Sequence, residues 1–198
     1  MSSMRALLVV AHPLKASFAK AAAARIRARL EERGVEVDVI DLYADGFDPR
    51  LSADERADYF AQPYDASRVA DYVDRLRRAD RLVFIFPQWW FNMPAILKGF
   101  LDRAFAPGVA FDHAPGGGLI PRLTNIAAIF VVTSTGAPWW ATRLYMGDPV
   151  RRQLSRGVKA MVSPKARFRM LTLHDMDRMT EARAESFLRQ LDRAFRHF

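Results

Sequence analysis

The sequence predicts an α/β protein in which a doubly wound, five-stranded parallel sheet lies between two layers of helices. Two observations lead to this prediction. Apolar segments of the length of a buried strand recur along the chain, and segments with helical patterns separate them. Strands that alternate with helices are typical of parallel sheets covered on both faces. Because no repeat, linker or low-complexity segment divides the chain, we expect a single three-layer α/β/α domain over residues 1–198.

Five segments are predicted to form the strands of this sheet. The first is a continuous apolar run that His12 and Pro13 end, which is the pattern of a strand buried on both faces. The second alternates between polar and apolar residues before it becomes apolar. The predicted strands are residues 5–11, 35–42, 81–87, 124–133 and 167–173.

The helices are predicted from their start and stop signals. Ser17 is a favoured N-cap residue before an alanine-rich stretch that ends at Gly34, and Pro94 occupies a favoured first position of another helix. Residues 52–55 have the pattern of a capping box. Residues 108–118 are rich in glycine and are predicted to be irregular. The predicted helices are residues 17–32, a short helix from residue 52, 66–79, 94–104, a helix between 138 and 154, and 180–195.

The composition excludes several classes of protein and of reactive site. With 51% hydrophobic residues, the chain can build a packed core, which excludes a disordered protein. It contains no cysteine, which excludes disulfide frameworks, cysteine-ligated metal centres and thiol nucleophiles. Any redox chemistry therefore has to use a bound organic cofactor, and we predict no metal site.

The charge is clearly basic, with 30 Lys and Arg against 22 Asp and Glu and a net charge of +8. Charge alone would suggest a nucleic-acid partner. We interpret the arginines, however, as dispersed over helix faces and mixed with acidic residues, as in residues 25–29 and 75–78, and we expect no nucleic-acid partner. The apolar residues 6–10 are far fewer than the roughly 18 of a spanning helix, so we expect no membrane insertion and a cytoplasmic location.

Ligands of open α/β sheets bind beyond the carboxyl ends of the strands. After the first predicted strand, His12, Lys15 and Ser17 lie at the start of a helix, where free N–H groups and the helix dipole favour a phosphate. The glycine-rich patterns of Rossmann and P-loop sites are not found there. The alternative is that Ser17 is only an N-cap and His12 only a loop residue.

The ends of the third and fourth predicted strands differ in character. Three consecutive aromatic residues, Trp89, Trp90 and Phe91, follow the third strand and could form an apolar wall for a planar ligand. The alternative is that these three rings pack under helices or in a subunit interface. Residues 133–137 are rich in hydroxyl groups and could hydrogen-bond the edge of such a ligand, although an ordinary turn is the alternative. A phosphate site, a stacking wall and a hydrogen-bonding edge together fit a flavin.

Three segments of the chain resemble the flavodoxin-like NAD(P)H:quinone oxidoreductases. They are residues 11–18, 86–103 and 134–137, and the run Pro-Ala-Ile-Leu-Lys-Gly at 94–99 is the most specific. The resemblance covers about residues 5–147 and continues more weakly through residues 173–179. It implies a flavodoxin-like fold, FAD as the cofactor with FMN as the alternative, and a homodimer with the active site at its interface.

The resemblance also assigns residues to parts of the cofactor. His12 and residues 18–19 would contact the phosphates and the adenylate, residues 88–91 would line the isoalloxazine ring, and residues 134–137 would bond its edge. Ser17 and Pro87 belong to the same segments. The cofactor-binding residues expected are His12, Ser17, Phe18, Ala19, Pro87, Gln88, Trp89, Trp90, Phe91, Ser134, Thr135, Gly136 and Ala137.

Further residues are implied for substrate binding and catalysis. Trp90, Phe111 and His113 would face the substrate. Family enzymes of the animal type carry a Tyr and a His after the fourth-strand loop that relay charge during hydride transfer. The corresponding residues 139–148 contain no histidine, and Tyr145 is the candidate catalytic residue.

The activity that the resemblance implies is two-electron reduction of quinones by NADH or NADPH. We expect a ping-pong cycle in which hydride passes from the nicotinamide to the flavin N5 and then to a quinone. The alternative is a regulatory flavoprotein, because some relatives act as ancillary subunits of potassium efflux systems. A one-electron carrier is disfavoured, since such carriers usually present acidic surfaces and this chain is basic.

Overall fold

The computed structural model describes residues 3–61, 64–196 and 198. Its strands are β1 (Arg5–Val10), β2 (Glu36–Asp41), β3 (Arg81–Pro87), β4 (Phe111–His113), β5 (Leu119–Pro121), β6 (Ala128–Ser134) and β7 (Arg167–Leu173). Strands β4 and β5 form an antiparallel hairpin, and the other five form one parallel sheet in the order β2-β1-β3-β6-β7. The predicted doubly wound α/β sheet of five strands is confirmed.

The strand order reverses at β1, which has β2 on one side and β3, β6 and β7 on the other. The chain therefore leaves β1 in one direction and later continues from β3 in the opposite direction across the sheet. Such a reversal separates the loops that follow the two central strands and opens a crevice between them. This topological switch point is where a ligand is expected.

Helices cover both faces of the sheet. They are α1 (Phe18–Glu31), α2 (Ala53–Ala57), α3 (Ala70–Arg78), α4 (Ala95–Ala104), α5 (Pro149–Arg152) and α6 (Glu181–Phe195). Helices α1 and α6 pack on one face, and α3, α4 and α5 pack on the other. Alternate side chains of β1 enter the two cores, so that Leu7 and Val9 face one while Leu8 and Val10 face the other. This double burial explains the continuous apolar run of the first strand.

Between residues 108 and 133, the structure differs from two of the predicted elements. The segment predicted to be irregular, residues 108–118, contains strand β4 and the turn of the β4–β5 hairpin, and β5 follows it directly. The fourth parallel strand begins at Ala128 instead of residue 124. Its predicted start is wrong because the side-chain amide of Asn125 donates hydrogen bonds to the carbonyls of Leu76 and Ala79, at 3.1 and 2.7 Å, and so closes the end of α3.

The single helix predicted between residues 138 and 154 is divided in two. A π-helical turn covers Ala141–Tyr145, and the helical segment that starts with α5 continues through a second π turn and a 3₁₀ turn to Met161. Between them, Gly147 and Asp148 have positive φ values of 67° and 52°. Asp148 precedes Pro149, and a residue before proline is disfavoured in the α region. The helix therefore has to restart at Pro149.

Helix α4 follows the aromatic segment and is held by a close contact at Gly99. A Cβ atom at Gly99 would lie 2.2 Å from the carbonyl oxygen of Pro49 and 2.6 Å from its Cα. Only glycine lets the loop before α2 approach the helix this closely. The glycine of the most specific motif thus has a packing role.

Replacing Gly99 with alanine should lower the free energy of unfolding by about 1–3 kcal/mol, because the methyl group collides with backbone. The usual helix preference for alanine over glycine, about 1 kcal/mol, has the opposite sign. Gly157→Ala is the matched control, since Gly157 is in a helical turn with nothing within 4 Å of its Cβ position. Urea denaturation checks both variants, and equal stability of Gly99→Ala and the wild type would contradict the close contact.

No helix in the part of the chain that the structure describes is both long enough and apolar enough to cross a bilayer.

Candidate functional site

A cavity of about 400 Å³ lies at the carboxyl edge of the sheet, next to the switch point. The loops after β1, β3 and β6 form most of its wall, and the loop after β7 closes one side. Ten of the thirteen expected cofactor-binding residues line it. The lining residues are His12, Leu14, Ala16, Ser17, Phe18, Ala19, Pro87, Gln88, Trp89, Ser134, Thr135, Gly136, Met176 and Asp177.

The start of α1 offers free hydrogen-bond donors to this cavity. Ser17 is the N-cap, and its hydroxyl oxygen accepts a hydrogen bond from the backbone N–H of Lys20 at 3.3 Å. The N–H of Ala21 donates to the Ser17 carbonyl. Among the described residues, the N–H groups of Phe18 and Ala19 have no hydrogen-bond partner. Two unpaired N–H groups at the positive end of a 14-residue helix form a place for an anionic oxygen.

His12 contributes a neutral donor to the cavity and no positive charge. Its Nδ1 accepts a hydrogen bond from the N–H of Leu14 at 3.1 Å, which leaves the ring proton on Nε2. Burial, together with the charge of Lys20, holds the pKa of His12 below its ordinary value. Lys20 is itself paired with Asp41, and Lys15 is exposed and does not line the cavity. At this strand end the cavity wall therefore offers neutral donors.

The aromatic segment after β3 is a tight two-residue turn. Trp89 and Asn92 exchange two backbone hydrogen bonds of 3.0 Å, and the two residues between them, Trp90 and Phe91, have φ values of 52° and 56°. This is the left-handed region, which glycine and asparagine favour and which bulky side chains rarely adopt. Each such residue costs on the order of 1–3 kcal/mol, and strain of this kind persists mainly at functional sites.

The turn separates the three rings. Trp89 lines the cavity, Phe91 is half-buried, and Trp90 is 97% exposed. A tryptophan with almost its whole surface in water is unusual, because this side chain normally buries 150–250 Å². Its exposure and its strained backbone together indicate a surface that a ligand or a second subunit covers.

Gln88 brings a buried amide group to the floor of the site. The residue is 5% exposed and its N–H donates to the Ser134 carbonyl at 2.6 Å, but neither Nε2 nor Oε1 of its side chain has a partner in the described chain. The hydroxyl of Thr133 is buried without a partner as well. An unpaired buried polar group costs about 1–3 kcal/mol, so a polar partner from outside the chain would stabilise this region.

The loop after β6 is held in place by the loop after β7. The N–H of Thr135 donates to the Leu173 carbonyl at 2.9 Å, and the N–H of Asp175 donates to the Ala137 carbonyl at 3.2 Å. The N–H of Ala137 is used by the Thr135 hydroxyl at 3.2 Å. Ala137 does not line the cavity, whereas Gly136 does and its N–H has no partner among the described residues. Gly136 is thus the free backbone donor of this loop.

Four of the residues that line the cavity were not predicted from the sequence. Leu14 and Ala16 belong to the β1 loop, and Met176 and Asp177 follow β7. Asp177 is exposed at the rim, and its carboxylate would lie 2.8 Å from a Cβ atom at Gly136. The rule that ligands lie beyond strand ends could have identified residues 174–177, since they follow the fifth predicted strand.

Several expected site residues lie outside this cavity. Phe91 and Ala137 flank it, whereas Phe111 and His113 belong to the hairpin strand β4 and pack on each other with ring centroids 5.6 Å apart. His113 also contacts Phe60 from the segment after α2, at 5.5 Å. Trp90, Phe111, His113 and Tyr145 are not brought together around one cavity within a single chain.

Tyr145 is 82% exposed and belongs to a group of exposed apolar residues after β6. The group also includes Trp139, Trp140 and Leu144, which are 56%, 55% and 71% exposed. Apolar residues in this number at one end of the sheet exceed the scattered exposure of an ordinary surface. The surface is therefore a candidate interface.

The cavity fits the polar and apolar parts of a flavin nucleotide. The free N–H groups of α1 suit phosphate oxygens, the Trp89 ring suits a planar ring system, and Gly136 supplies a donor on the opposite side. The unpaired side-chain amide of Gln88 has one donor group and one acceptor. It could therefore bond to a ligand edge that carries both an acceptor and a donor. About 400 Å³ lies within the usual range for ligand pockets.

The strand order and the position of the cavity define the class of protein: an open, doubly wound α/β domain that binds its ligand at the switch point. A family model described as a flavodoxin-like fold matches residues 4–194. The chain belongs to this family, and the predicted flavodoxin-like fold is confirmed.

Similarity to known proteins confirms the resemblance to quinone oxidoreductases. NAD(P)H dehydrogenase [quinone] 1 of Cavia porcellus is 34% identical over 160 residues, which are 73% of this chain and 58% of that protein. An uncharacterized NAD(P)H oxidoreductase of Haemophilus influenzae is 39% identical over 116 residues, or 57% of this chain and 56% of that one. The chain spans little more than half the length of these relatives.

A solved structure covers nearly the whole chain. It is the NAD(P)H:quinone oxidoreductase of Methanothermobacter marburgensis, with a TM-score of 0.83 and 28% identity. The similarity extends over 98% of this chain and 96% of that one.

Proposed function

We propose that the protein is a flavin-dependent NAD(P)H:quinone oxidoreductase. The observation that carries the proposal is that three strand ends, each expected from the sequence to hold part of a flavin, line one cavity. The similarity to a quinone-reducing NAD(P)H dehydrogenase at 34% identity supports the same chemistry. The substrates proposed are therefore NADH or NADPH and a quinone.

Different residues of the chain would bind different parts of the cofactor. The N–H groups of Phe18 and Ala19 would bind phosphate, and the neutral His12 would donate from Nε2. Trp89 would flank the ring system, and Gly136 would donate to its polar edge. A donor at that edge stabilises negative charge without the gain or loss of a proton by the protein.

A flavin held there supplies hydride transfer in two half-reactions, from NAD(P)H and then to a quinone. The task of the protein is to present one stacking position to two flat substrates in turn. Trp90 and Phe91 suit this task because aromatic rings bind planar molecules without a fixed set of hydrogen bonds. Tyr145 is proposed to give a polar contact to the developing charge once a partner or a substrate covers it.

We propose FAD as the cofactor, with FMN as the alternative. The lining of the cavity includes Met176 and Asp177 of the loop after β7 in addition to the start of α1, which supports a cofactor with a part beyond the first phosphate. Release of the cofactor and measurement of its mass distinguish the two. A purified protein that contains FMN and does not take up FAD would contradict this part of the proposal.

We propose that the active unit is a homodimer with its sites at the interface. Trp90 is almost fully exposed, and the expected substrate residues Phe111 and His113 lie outside the cavity of their own chain. In a two-fold dimer, the hairpin of one subunit would face the cavity of the other, which accounts for both features. A cytoplasmic location is proposed as well, because the proposed electron donor is available there.

Mixing two inactive variants tests the shared site. Trp90→Asn and Phe111→Ala would each damage every site of their own dimers. In a hybrid dimer with two-fold symmetry, one site receives both substitutions and the other receives neither. An equal mixture of exchanged subunits should therefore recover about a quarter of the wild-type turnover. No recovery in a mixture whose hybrids are verified by mass would contradict a shared site.

The proposed activity has a direct test. The purified protein should be yellow, NAD(P)H should bleach the flavin absorption, and a quinone should restore it. A colourless protein that takes up neither FAD nor FMN would contradict the cofactor and the activity together. Turnover by the chain alone would also exclude the alternative in which it serves only as a regulatory subunit of a transporter.

A further inference from the structure

The positive charge of this protein is concentrated in one segment. Residues 149–174 contain seven of the 30 Lys and Arg and none of the 22 Asp and Glu. The remaining 172 residues have 23 basic and 22 acidic side chains, which leaves a net charge of +1 out of +8. The seven cations are Arg151, Arg152, Arg156, Lys159, Lys165, Arg167 and Arg169.

Among the described residues, 13 of the other 23 cations lie within 4 Å of a carboxylate. In α1, Arg25 and Arg29 both pair with Asp192 of α6, at 2.7 and 2.8 Å, and Arg27 pairs with Glu31. In α3, Arg75 pairs with Asp38 at 2.6 Å. The interpretation of the basic charge as dispersed and mixed with acidic residues is correct for α1 and wrong for residues 149–174. In α3 it holds for Arg75, whereas Arg77 and Arg78 have no carboxylate within 4 Å among the described residues.

The seven cations of this segment have no carboxylate within 4 Å in the part of the chain that the structure describes. Six of them are exposed and Lys159 is half-buried. We call the surface that they form the cationic edge. It carries seven charges that only solvent and salt balance in the isolated chain.

The cationic edge surrounds the outermost strand of the sheet. Strand β7 is the last strand in the sheet order, and it contributes Arg167 and Arg169. The helical segment from α5 to Met161 buries Val150, Leu154 and Val158 against the core and presents its cations on the opposite side. None of the seven cations lines the cavity at the carboxyl edge. The cationic edge thus lies at the outer edge of the sheet and outside the proposed site.

We propose that the cationic edge is a docking surface for an anionic lipid bilayer. The proposal follows from charge complementarity, because a planar anionic surface can meet all of these long side chains without a fixed register. Each Lys or Arg near such a surface contributes about 1 kcal/mol, equivalent to about a fivefold change in partition coefficient. Docking through seven charges is peripheral and needs no spanning helix.

The side chains of the cationic edge favour a bilayer over a nucleic acid. Single-stranded nucleic acids bind where free aromatic rings accompany the cations, so that bases can stack. The aromatic residue of this segment is Phe168, and the guanidinium of Arg151 lies over its ring at 5.8 Å. Phe168 also packs against the core, so it offers no stacking platform.

The benefit of docking rests on the proposed function, whereas the docking itself does not. Quinones with long apolar tails reside in membranes, so a quinone oxidoreductase held at the bilayer would meet them at a high local concentration. Binding to lipid can be measured on a protein without any turnover. Failure of the activity and failure of the docking are therefore distinguishable.

Co-sedimentation with vesicles tests the proposal on the full chain. The probes are vesicles of phosphatidylcholine alone and vesicles with about 30% phosphatidylglycerol, at low salt. The wild type should sediment with the anionic vesicles and remain in solution with the neutral ones. About 0.5 M salt should release it, because the Debye length falls to a few ångströms. Equal binding to both kinds of vesicle, or binding to neither, would overturn the proposal.

A triple variant locates the binding surface. Arg156→Gln, Lys165→Gln and Arg167→Gln together remove three exposed cations and should lower the partition coefficient roughly 100-fold, from about fivefold per charge. The matched control removes three exposed, paired cations with Arg27→Gln, Arg50→Gln and Arg189→Gln. It reaches the same net charge and should retain most of the binding.

Two further results would overturn the proposal. If the matched control loses as much binding as the triple variant, net charge and not the cationic edge is responsible. If the wild type binds a single-stranded oligonucleotide or duplex DNA more tightly than anionic vesicles at the same salt, a nucleic acid is the partner. Circular dichroism and flavin content of both variants establish that they are folded.

Discussion

Replacement of Glu55 by alanine is expected to lower the free energy of unfolding by about 3–5 kcal/mol, because it leaves a buried guanidinium without its partner. Glu55 and Arg103 are 8% and 7% exposed, and the carboxylate accepts hydrogen bonds from Arg103 at 2.7–2.8 Å. Arg103 also donates to the Asp48 carbonyl at 2.6 Å and lies 5.5 Å from the Phe47 ring centroid. The pair therefore joins α2 and the loop before it to α4.

Controls separate the buried pair from ordinary surface charge. Arg27→Ala breaks the exposed pair with Glu31 and should cost less than about 0.5 kcal/mol. Glu55→Gln keeps an acceptor for Arg103 and should cost less than Glu55→Ala. Urea denaturation at neutral pH measures all three variants. A loss below 1 kcal/mol for Glu55→Ala would show that the guanidinium finds another partner or reaches water.

The same pair predicts a pH dependence. Burial alone would raise the pKa of Glu55, but hydrogen bonds from the Ser52 N–H and from Arg103 hold it below its usual value. Since the folded pKa is the lower one, the ionised pair stabilises the fold fully above the unfolded value of about 4.3. The stabilisation is lost as the pH falls through the folded pKa. The stability difference between wild type and Glu55→Gln should therefore shrink below about pH 4.

Replacement of Trp90 by asparagine is expected to change stability and turnover in opposite directions. Asparagine tolerates a φ of 52° that strains tryptophan, and the exposed ring gives up no packing when it is removed. The free energy of unfolding of the monomer should rise by about 1 kcal/mol. The kcat/KM for a quinone should fall about 10–100-fold, because a stacking surface is lost.

Two measurements make this prediction specific. Trp140→Asn removes a ring that is 55% exposed from a residue with an ordinary φ of −67°, so it should bring no gain in stability. The flavin content of Trp90→Asn should remain that of the wild type, since Trp90 does not line the cavity wall next to α1. Unchanged quinone kinetics in Trp90→Asn would show that the strained turn has a structural role only.

Much of the fold could be predicted because strand and helix signals are local. Four strands lie within one residue of their predicted ends, because apolar runs or alternating patterns between polar or turn residues mark them: β1, β2, β3 and β7. The start of the fourth strand could not be predicted. It depends on the Asn125 amide, which bonds to carbonyls 46 and 49 residues earlier in the chain.

Most of the cavity wall could be predicted as well, because the loops after β1, β3 and β6 follow their strands directly. The charge state of His12 at this site could not be predicted from the sequence. The N–H that donates to His12 Nδ1 belongs to Leu14, two residues away, but the burial that lowers the pKa of His12 depends on the tertiary structure. The approach of Asp177 to Gly136, a residue 41 positions away, likewise could not be predicted.

The sequence by itself determined the class of fold, the three segments that meet at the cavity, and the presence of an aromatic turn. These are properties of neighbouring residues: apolar periodicity, helix capping and the composition of short loops. Only the tertiary structure decided that Trp90 is exposed on a strained backbone, that Glu55 neutralises Arg103, and that the cations of residues 149–174 remain unpaired. The physical reason is that ion pairing and exposure depend on contacts between residues far apart in the chain, such as the pair of Arg25 with Asp192, 167 residues apart.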